Sequence, residues 1–535
     1  MDVQFRVNVT AANFPLLSSL HGRSLLAREA QDSNYVVVNQ YGGASADRDV
    51  GIPTFVYVHN IMPTINGIAS VGYKVVSNAA DNTARYAQVL RTCKETRYIY
   101  LPTVNNNYIL LNGTWQSIGG FSSNKNVTYA HIHKATYICH EYSHVQKLNE
   151  TTMQLDLVEL KGLDVSKILG VTHANNYLIS YTADTIHWSS IIDSEDFVPQ
   201  LKTRAGSIIP LHMRGAIVGC LPTSNGFVIF TTVNAVRATF VGDKDLPFRF
   251  EEILNSGGIR KLEHVTNDNN HDSFYCWTNK GLQQFGKLTG NADQLFPEVT
   301  DFLTSHIFED YIGDTGKRTS TNESEVWSSQ TETWAEVQEG YSELKQWVFT
   351  GELQIKLAII ANRYLVISYG LPTSSVLTHC LVYDMAFKRW GKLRVAHIDC
   401  FELDPATATT FLVEPNHQIA FLQTDGRIKV LDFEAATIDT DSVMFFGKIQ
   451  HTRNRVCTLH TIEVENTLPK ETELSILTSL DGKNFNPALR PMRQIDTKHL
   501  SRWIMRTTGI NHSFKLTGTF DIVSIQGMVT LGGHR

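Results

Sequence analysis

His140-Glu141-Tyr142-Ser143-His144 has the HExxH spacing of zinc hydrolases. On a helix, that spacing puts two imidazoles on one face to hold zinc, with the glutamate activating a metal-bound water. The flanking residues argue against a helix. Ala135-Thr136-Tyr137-Ile138-Cys139 is β-prone, and no glycine and third histidine follow at the longer zincin spacing. On a continuous strand, His140 and His144 share a face about 13 Å apart, too far to chelate one ion. Glu159 is a distant candidate for a third ligand, but it sits in the alternating run Val158-Glu159-Leu160. His131 and His133 add a local cluster suited only to adventitious metal. No catalytic zinc is expected.

Asp184, Glu195 and Asp196 lie near Trp188 and raise the paired-carboxylate chemistry of a glycosidase. Acids in turns are commoner than catalytic ones, and nothing in the sequence fixes their separation. There is no Walker loop, nucleophile elbow or dinucleotide fingerprint. Gly257-Gly258 and Gly532-Gly533 are isolated pairs that fit turns. His451-Thr452-Arg453-Asn454-Arg455 is a basic stretch better read as a solvated strand rim than a pocket. The expectation is no catalytic residue, no cofactor and no metal.

The elements that must carry these residues are hairpins. Asn175–Tyr181 is an apolar and aromatic strand, Thr182–Thr185 a polar turn, and Ile186–Trp188 the start of a return strand. The plan recurs around Thr232, Thr278 and Thr424. Each copy has Asp or Asn one or two places after the threonine and an aliphatic residue four after it. The steps are 50, 46 and 146 residues, the last about three repeats long. Short strands at this period are the signature of β-propeller blades.

The expected fold is all-β: a β-propeller with an inserted acidic subdomain and a C-terminal β-sandwich-like module. Residues 1–100 read as a β-rich segment joining the propeller or a platform, with strands at Asn34–Val38 and Thr54–Val58 and a flexible loop at Gly42–Ala46. Residues 101–297 and 356–438 read as blades. Residues 298–355 read as an insertion, and 439–535 as the C-terminal module. Between 298 and 352 there are 12 Asp/Glu against 3 Lys/Arg, a local charge of −9. Trp327, Trp334 and Trp347 lie in that stretch, with a polar run at Lys317–Glu325 and helical tendency over Glu332–Lys345. Residues 440–535 carry 12 Lys/Arg against 8 Asp/Glu, or +4. This polarity suits head-to-tail contact between identical subunits.

The 535 residues carry a net charge of −6, so no global basic field attracts nucleic acid. Hydrophobic content of 42% against 19% charged describes a folded chain, not a disordered one. Seven scattered cysteines without a CxxC pair are expected to be free thiols from a reducing cytoplasm. No signal peptide is expected from Met1–Arg6, and no apolar run reaches spanning length.

Trp188-Ser189 followed by Asp193-Ser194-Glu195-Asp196-Phe197 resembles a segment of the tail nozzle proteins of short-tailed phages, the tail tubular protein B family. Similar patches are Phe227–Thr232 and Tyr364–Gly370. Near the C-terminus they are Gly447–Gln450, Arg453–Arg455, Ser479–Phe485, Arg506–His512 and Gly518–Asp521. The resemblance covers about 175–535 in ordered patches. It implies a structural, non-enzymatic virion protein that forms a hexameric ring below the tail adaptor. The ring extends the DNA channel, retains the genome and opens for ejection. The implied partners are the adaptor, tail fibres or spikes, the host envelope, and genomic DNA passing without specific binding. Assembly would occur in the host bacterial cytoplasm. The alternative from another class is a propeller tail protein that binds or depolymerises carbohydrate.

Overall fold

A computed structural model of the chain describes residues 2–8, 55–64, 68–80, 83–84, 88–91, 97–111, 113–123, 125–132, 135–200, 202–268, 271, 273–286, 290–297, 299–300, 303, 354–371, 374–386, 388–403, 419–432, 442–446, 449–450, 456–466, 472–479, 492–497 and 500–531. The readings placed on Asn34–Val38, Gly42–Ala46, Lys317–Glu325, Glu332–Lys345, the three tryptophans and His451–Arg455 fall outside these residues.

Aliphatic and aromatic runs separated by turn residues fold into four-stranded antiparallel blades, seven of them among the described residues. Their innermost strands are Gln88–Arg91, Val127–Ile132, Gly170–Ala174, Ile217–Thr223, Val265–Asn267, Gln354–Ile360 and Asp399–Glu402. The fold is a β-propeller. The second strand of a blade is covered on both faces, so it reads as continuously apolar. All residues of Tyr177–Tyr181, Gly226–Thr231 and Tyr364–Gly370 are buried.

Alternate residues of one strand serve two seams. Leu178 packs toward blade 2 with Tyr137 and Cys139, while Tyr177 and Ile179 pack toward blade 4 with Phe227 and Phe248. Seven apolar clusters fill the seams in turn. The last closes the circle: Leu422 and Val430 of blade 7 pack on Leu101 and Trp115 of blade 1, and the Trp115 indole donates to the Gly426 carbonyl at 2.9 Å. Blade 7 takes its fourth strand from early in the chain, Gly72–Val75, paired with Lys429–Asp432.

The two ends of the described chain build a second unit, a β-sandwich. One layer holds Asp2–Asn8, Asp521–Leu531, Cys457–Asn466, Leu500–Gly509 and Arg493–Thr497. The other holds Phe55–His59, Val443–Phe446, Asn511–Gly518, Ile449–Gln450 and Thr472–Ser479. Cys457, Ile462, Trp503 and Val529 of the first meet Leu474, Ile476 and Leu516 of the second. Sequence reading treated residues 1–100 as one segment and began the blades at 101. The chain instead divides that stretch. Asp2–Asn8 and Phe55–His59 join the sandwich, Gly72–Val75 closes blade 7, and blade 1 begins at Gln88. Val299 and Leu303, at the edge of the acidic stretch, are buried in the seam between blades 5 and 6.

Four of the seven turns between second and third strands share one device. At Thr103, Thr182, Thr231 and Thr278 a threonine hydroxyl accepts backbone N–H groups two or three residues on, at 2.9–3.3 Å. Thr182 and Thr278 are the residues the repeat picks out. In blade 4 the residue is Thr231, not Thr232, and blade 1 supplies an unrecognised copy at Thr103. In Thr231→Val the amides of Val233 and Asn234 lose their acceptor, which costs about 1–3 kcal/mol in a denaturation experiment.

Candidate functional site

The HExxH segment is the blade 2 version of this turn. His140 ends the strand Ala135–His140 and occupies the place threonine takes elsewhere; its N–H donates to the His144 carbonyl at 2.9 Å. Residues 141–144 reverse the chain, with Tyr142 at φ 54°. No helix forms, because the strand before the motif pairs throughout with Val127–Ile132. The continuous-strand picture of His140 and His144 far apart is corrected as well. The turn brings both rings onto Phe121, at centroid distances of 5.4 and 4.4 Å.

His140 Nδ1 lies 3.1 Å from the Ser123 hydroxyl, while Nε2 is buried with no hydrogen-bond partner among the described residues. Burial, and secondarily the neighbouring His144, push the His140 pKa down to about 4. Glu159 stands beyond Val158 at the outer edge of the blade, and His131 binds the Thr136 hydroxyl at 3.0 Å. Among the described residues no three His, Cys, Asp or Glu side chains gather to hold a metal.

The carboxylates near Trp188 are separated in role. Asp184 accepts from the hydroxyls of Thr182 and Thr185 at 3.1 and 2.8 Å in an exposed turn, and those bonds lower its pKa. Asp193 caps the amide of Glu195, and Asp196 caps that of Val198, both at 3.0 Å. Glu195 reaches blade 2, where it meets Lys147 at 3.0 Å and the Tyr137 hydroxyl at 3.0 Å. Phe197 is buried in the seam between blades 2 and 3. The loop 190–197 is therefore an inter-blade wedge. Trp188 is buried against Phe248, and its indole donates to the Arg204 carbonyl at 2.8 Å.

The most concentrated buried charge is elsewhere, and no motif in the sequence marks it. Lys356, on the inner strand of blade 6, meets Asp399, on the inner strand of blade 7, at 2.6 Å. Their side chains are 15% and 2% exposed, so the pair is desolvated. Burial pulls the Lys356 pKa down, but the Asp399 charge, aided by Glu263, outweighs it and holds the ammonium above its ordinary range. Beside them His397 Nδ1 donates to the Val395 carbonyl at 2.7 Å, so Nε2 accepts from the Ser368 hydroxyl at 2.8 Å. Burial pushes the His397 pKa down to about 4, with Lys356 and His379 adding to the shift. This arrangement clasps two blades. It presents no nucleophile–base pair to a substrate.

The described cysteines, at 139, 220, 276, 380, 400 and 457, are buried. Burial pushes the Cys139 thiol up to about 12 and those of Cys220, Cys276, Cys380 and Cys400 upward too, away from thiolate chemistry. No described helix is long and apolar enough to cross a membrane.

No family profile matches the sequence, and no curated protein does. Among solved structures, 494 chains match. The WD40 β-propeller domain of Doa1 is similar at 8% identity and a TM-score of 0.38, covering 68% of this chain and 97% of that one. The extracellular domain of a hybrid two-component system from B. thetaiotaomicron is similar at 10% identity and a TM-score of 0.36, covering 66% of this chain and 40% of that one. Likenesses this distant carry no argument about function. The propeller stands on the chain's own sheet topology and seams.

Proposed function

We propose that this chain is a non-enzymatic structural subunit of a phage tail nozzle. Six copies form a ring below the tail adaptor, and the ring retains the genome and opens to release it. The observation that supports this reading best is the distribution of the resemblance over the fold. Its patches fall on a blade 4 strand, a blade 6 strand and the sandwich strands Leu500–Gly509 and Asn511–Gly518, so it touches both units of the fold. The charge polarity fits as well. An acidic stretch of −9 separates blades 5 and 6 in the sequence, and the C-terminal region is +4. An acidic conduit lets DNA slide without counterion-release binding. Fibres or spikes and the host envelope are the further partners, and the virion is the site of action.

The test is imaging of the purified chain by negative-stain electron microscopy, alone and mixed with the adaptor. Six-fold rings are expected in at least the mixture. Deleting residues 313–335 is expected to leave the chain folded but to give particles that leak DNA or fail to eject it. A chain that stays monomeric with the adaptor, or normal retention and infectivity after the deletion together with an absence of rings, overturns the proposal. Stoichiometric zinc that disappears in His140→Ala would instead favour a hydrolase.

A further inference from the structure

We infer that closure of the propeller ring is conditional on the sandwich, through a strap formed by residues 60–64 and 68–76. The inference is independent of the nozzle reading. The strap begins at Asn60, which is buried and held at φ 50°. Asn60 is bonded in three directions. Its Oδ1 accepts from the Arg394 amide of blade 6 at 2.8 Å and from the Tyr73 hydroxyl of blade 7 at 3.1 Å. Its carbonyl accepts from the hydroxyl of Ser442, next to the sandwich strand Val443–Phe446, at 3.0 Å.

The hairpin Ile61–Pro63 and Ile68–Ser70 follows. On one side Ile61 pairs with Lys392 of blade 6, where a Cβ on Gly391 would meet the Ile61 carbonyl at 2.7 Å. On the other side Ile68 and Ala69 pair with Ile522 and Asp521 of the sandwich. Ser70 fastens that side twice: its amide donates to the Phe520 carbonyl at 2.8 Å, and its hydroxyl accepts from the Phe520 amide at 2.8 Å. One residue later, after buried Val71, Gly72–Val75 becomes the fourth strand of blade 7.

A single residue therefore separates the sandwich clamp from the strand that closes the ring. One residue spans about 3.8 Å of chain, and a strand slipped by one residue turns its side chains to the wrong face. Among the described residues of the strap Ile61, Met62, Ile68, Ala69, Ser70 and Val71 are buried, and the step from Ser70 to Gly72 holds Val71 alone. The closing strand makes only four pairs with blade 7, Gly72↔Asp432 to Val75↔Lys429, so its placement depends on the clamp. Loosening the sandwich frees blade 7, and by reciprocity a closed ring steadies the sandwich.

Hydrogen exchange on the full chain tests this with Ser70→Ala, which removes the hydroxyl fastening, and Asn60→Gly, which keeps the backbone conformation but removes Oδ1. Both are expected to exchange at least about tenfold faster over 428–432, with residues 127–252 unchanged, if the strap carries about 1.4 kcal/mol or more of closure. A disulfide in Val75→Cys/Lys429→Cys is expected to restore protection in either background. Faster exchange confined to 60–70 and 520–522, a uniform loss over all blades, or failure of the disulfide to restore protection overturns the inference. Should the single variants fail to fold, the disulfide in the otherwise unchanged chain serves alone. It should slow exchange of residues 457–466 and 521–531 in mild denaturant, and unchanged exchange there also overturns it.

Discussion

Asp399→Ala lowers the stability of the folded chain by about 3–5 kcal/mol, read from urea unfolding followed by tryptophan fluorescence. The size follows from what is left behind. Asp399 is 2% exposed and sits 2.6 Å from the Lys356 ammonium, which has little water to turn to. Removing the carboxylate leaves a buried cation uncompensated, beside His397, which is also disfavoured from carrying charge. The double variant Lys356→Met/Asp399→Leu, which removes both charges and keeps the volume, should recover most of the loss. A single-variant loss below about 1 kcal/mol would mean that the pair is effectively solvated. The linked pH behaviour has a definite sign. The Lys356 pKa is raised on folding, so its contribution is complete below the unfolded value of 10.5 and is lost as pH rises through the higher folded value.

Mild acid is the second large perturbation. His140, His264, His397 and His512 are all buried, and burial pushes each pKa from 6.5 down to about 4. Each is favoured neutral in the folded chain and takes a proton more readily once unfolded. Their stabilising contribution is therefore complete above pH 6.5 and is lost as pH falls toward about 4. Each proton taken up on unfolding steepens the loss by about 1.4 kcal/mol per pH unit. Against a total stability of about 5–15 kcal/mol, several such groups should unfold the protein within that window. Thermal melts from pH 7.5 to 4.5 should show a steep fall in Tm below pH 6.5. A Tm at pH 4.5 equal to that at pH 7.5 would refute the assignment of buried neutral histidines.

The hairpins were legible because their information is local. Thr182 and Thr278 announce tight turns, and the largely apolar strands before them announce burial on both faces. The register slipped at Thr231-Thr232 because Thr232, with Asn234 two places on and Val236 four on, satisfies the pattern, whereas the hydrogen bonds fall on Thr231. Blade 2 was masked because histidine replaces the turn threonine, and the resulting HExxH string invites a different reading. The Lys356–Asp399 clasp was hidden for another reason. In Gln354–Ile360, Lys356 alternates with apolar Ile355 and Leu357, the pattern of a strand with one wet face. In a ring of blades the second face is covered by the next blade, so alternation no longer marks solvent. The sandwich's mixed origin could not be read locally at all, since Asp2 pairs with Thr530 and Asn8 with Ser524.

The closing strand has a consequence during synthesis. Gly72–Val75 leaves the ribosome some 350 residues before Lys429–Asp432, its partner, has been made. At about 5–20 residues per second that is a wait of roughly 20–70 seconds. Asp2–Asn8 waits longer still, until Ser524–Thr530 emerges. Blades 1 to 5 can stack as they are produced, because their strands pair with near neighbours. The ring and the sandwich must be finished late, and until then early strands such as Asp2–Asn8, Phe55–His59 and Gly72–Val75 remain available to bind another nascent copy of the same chain.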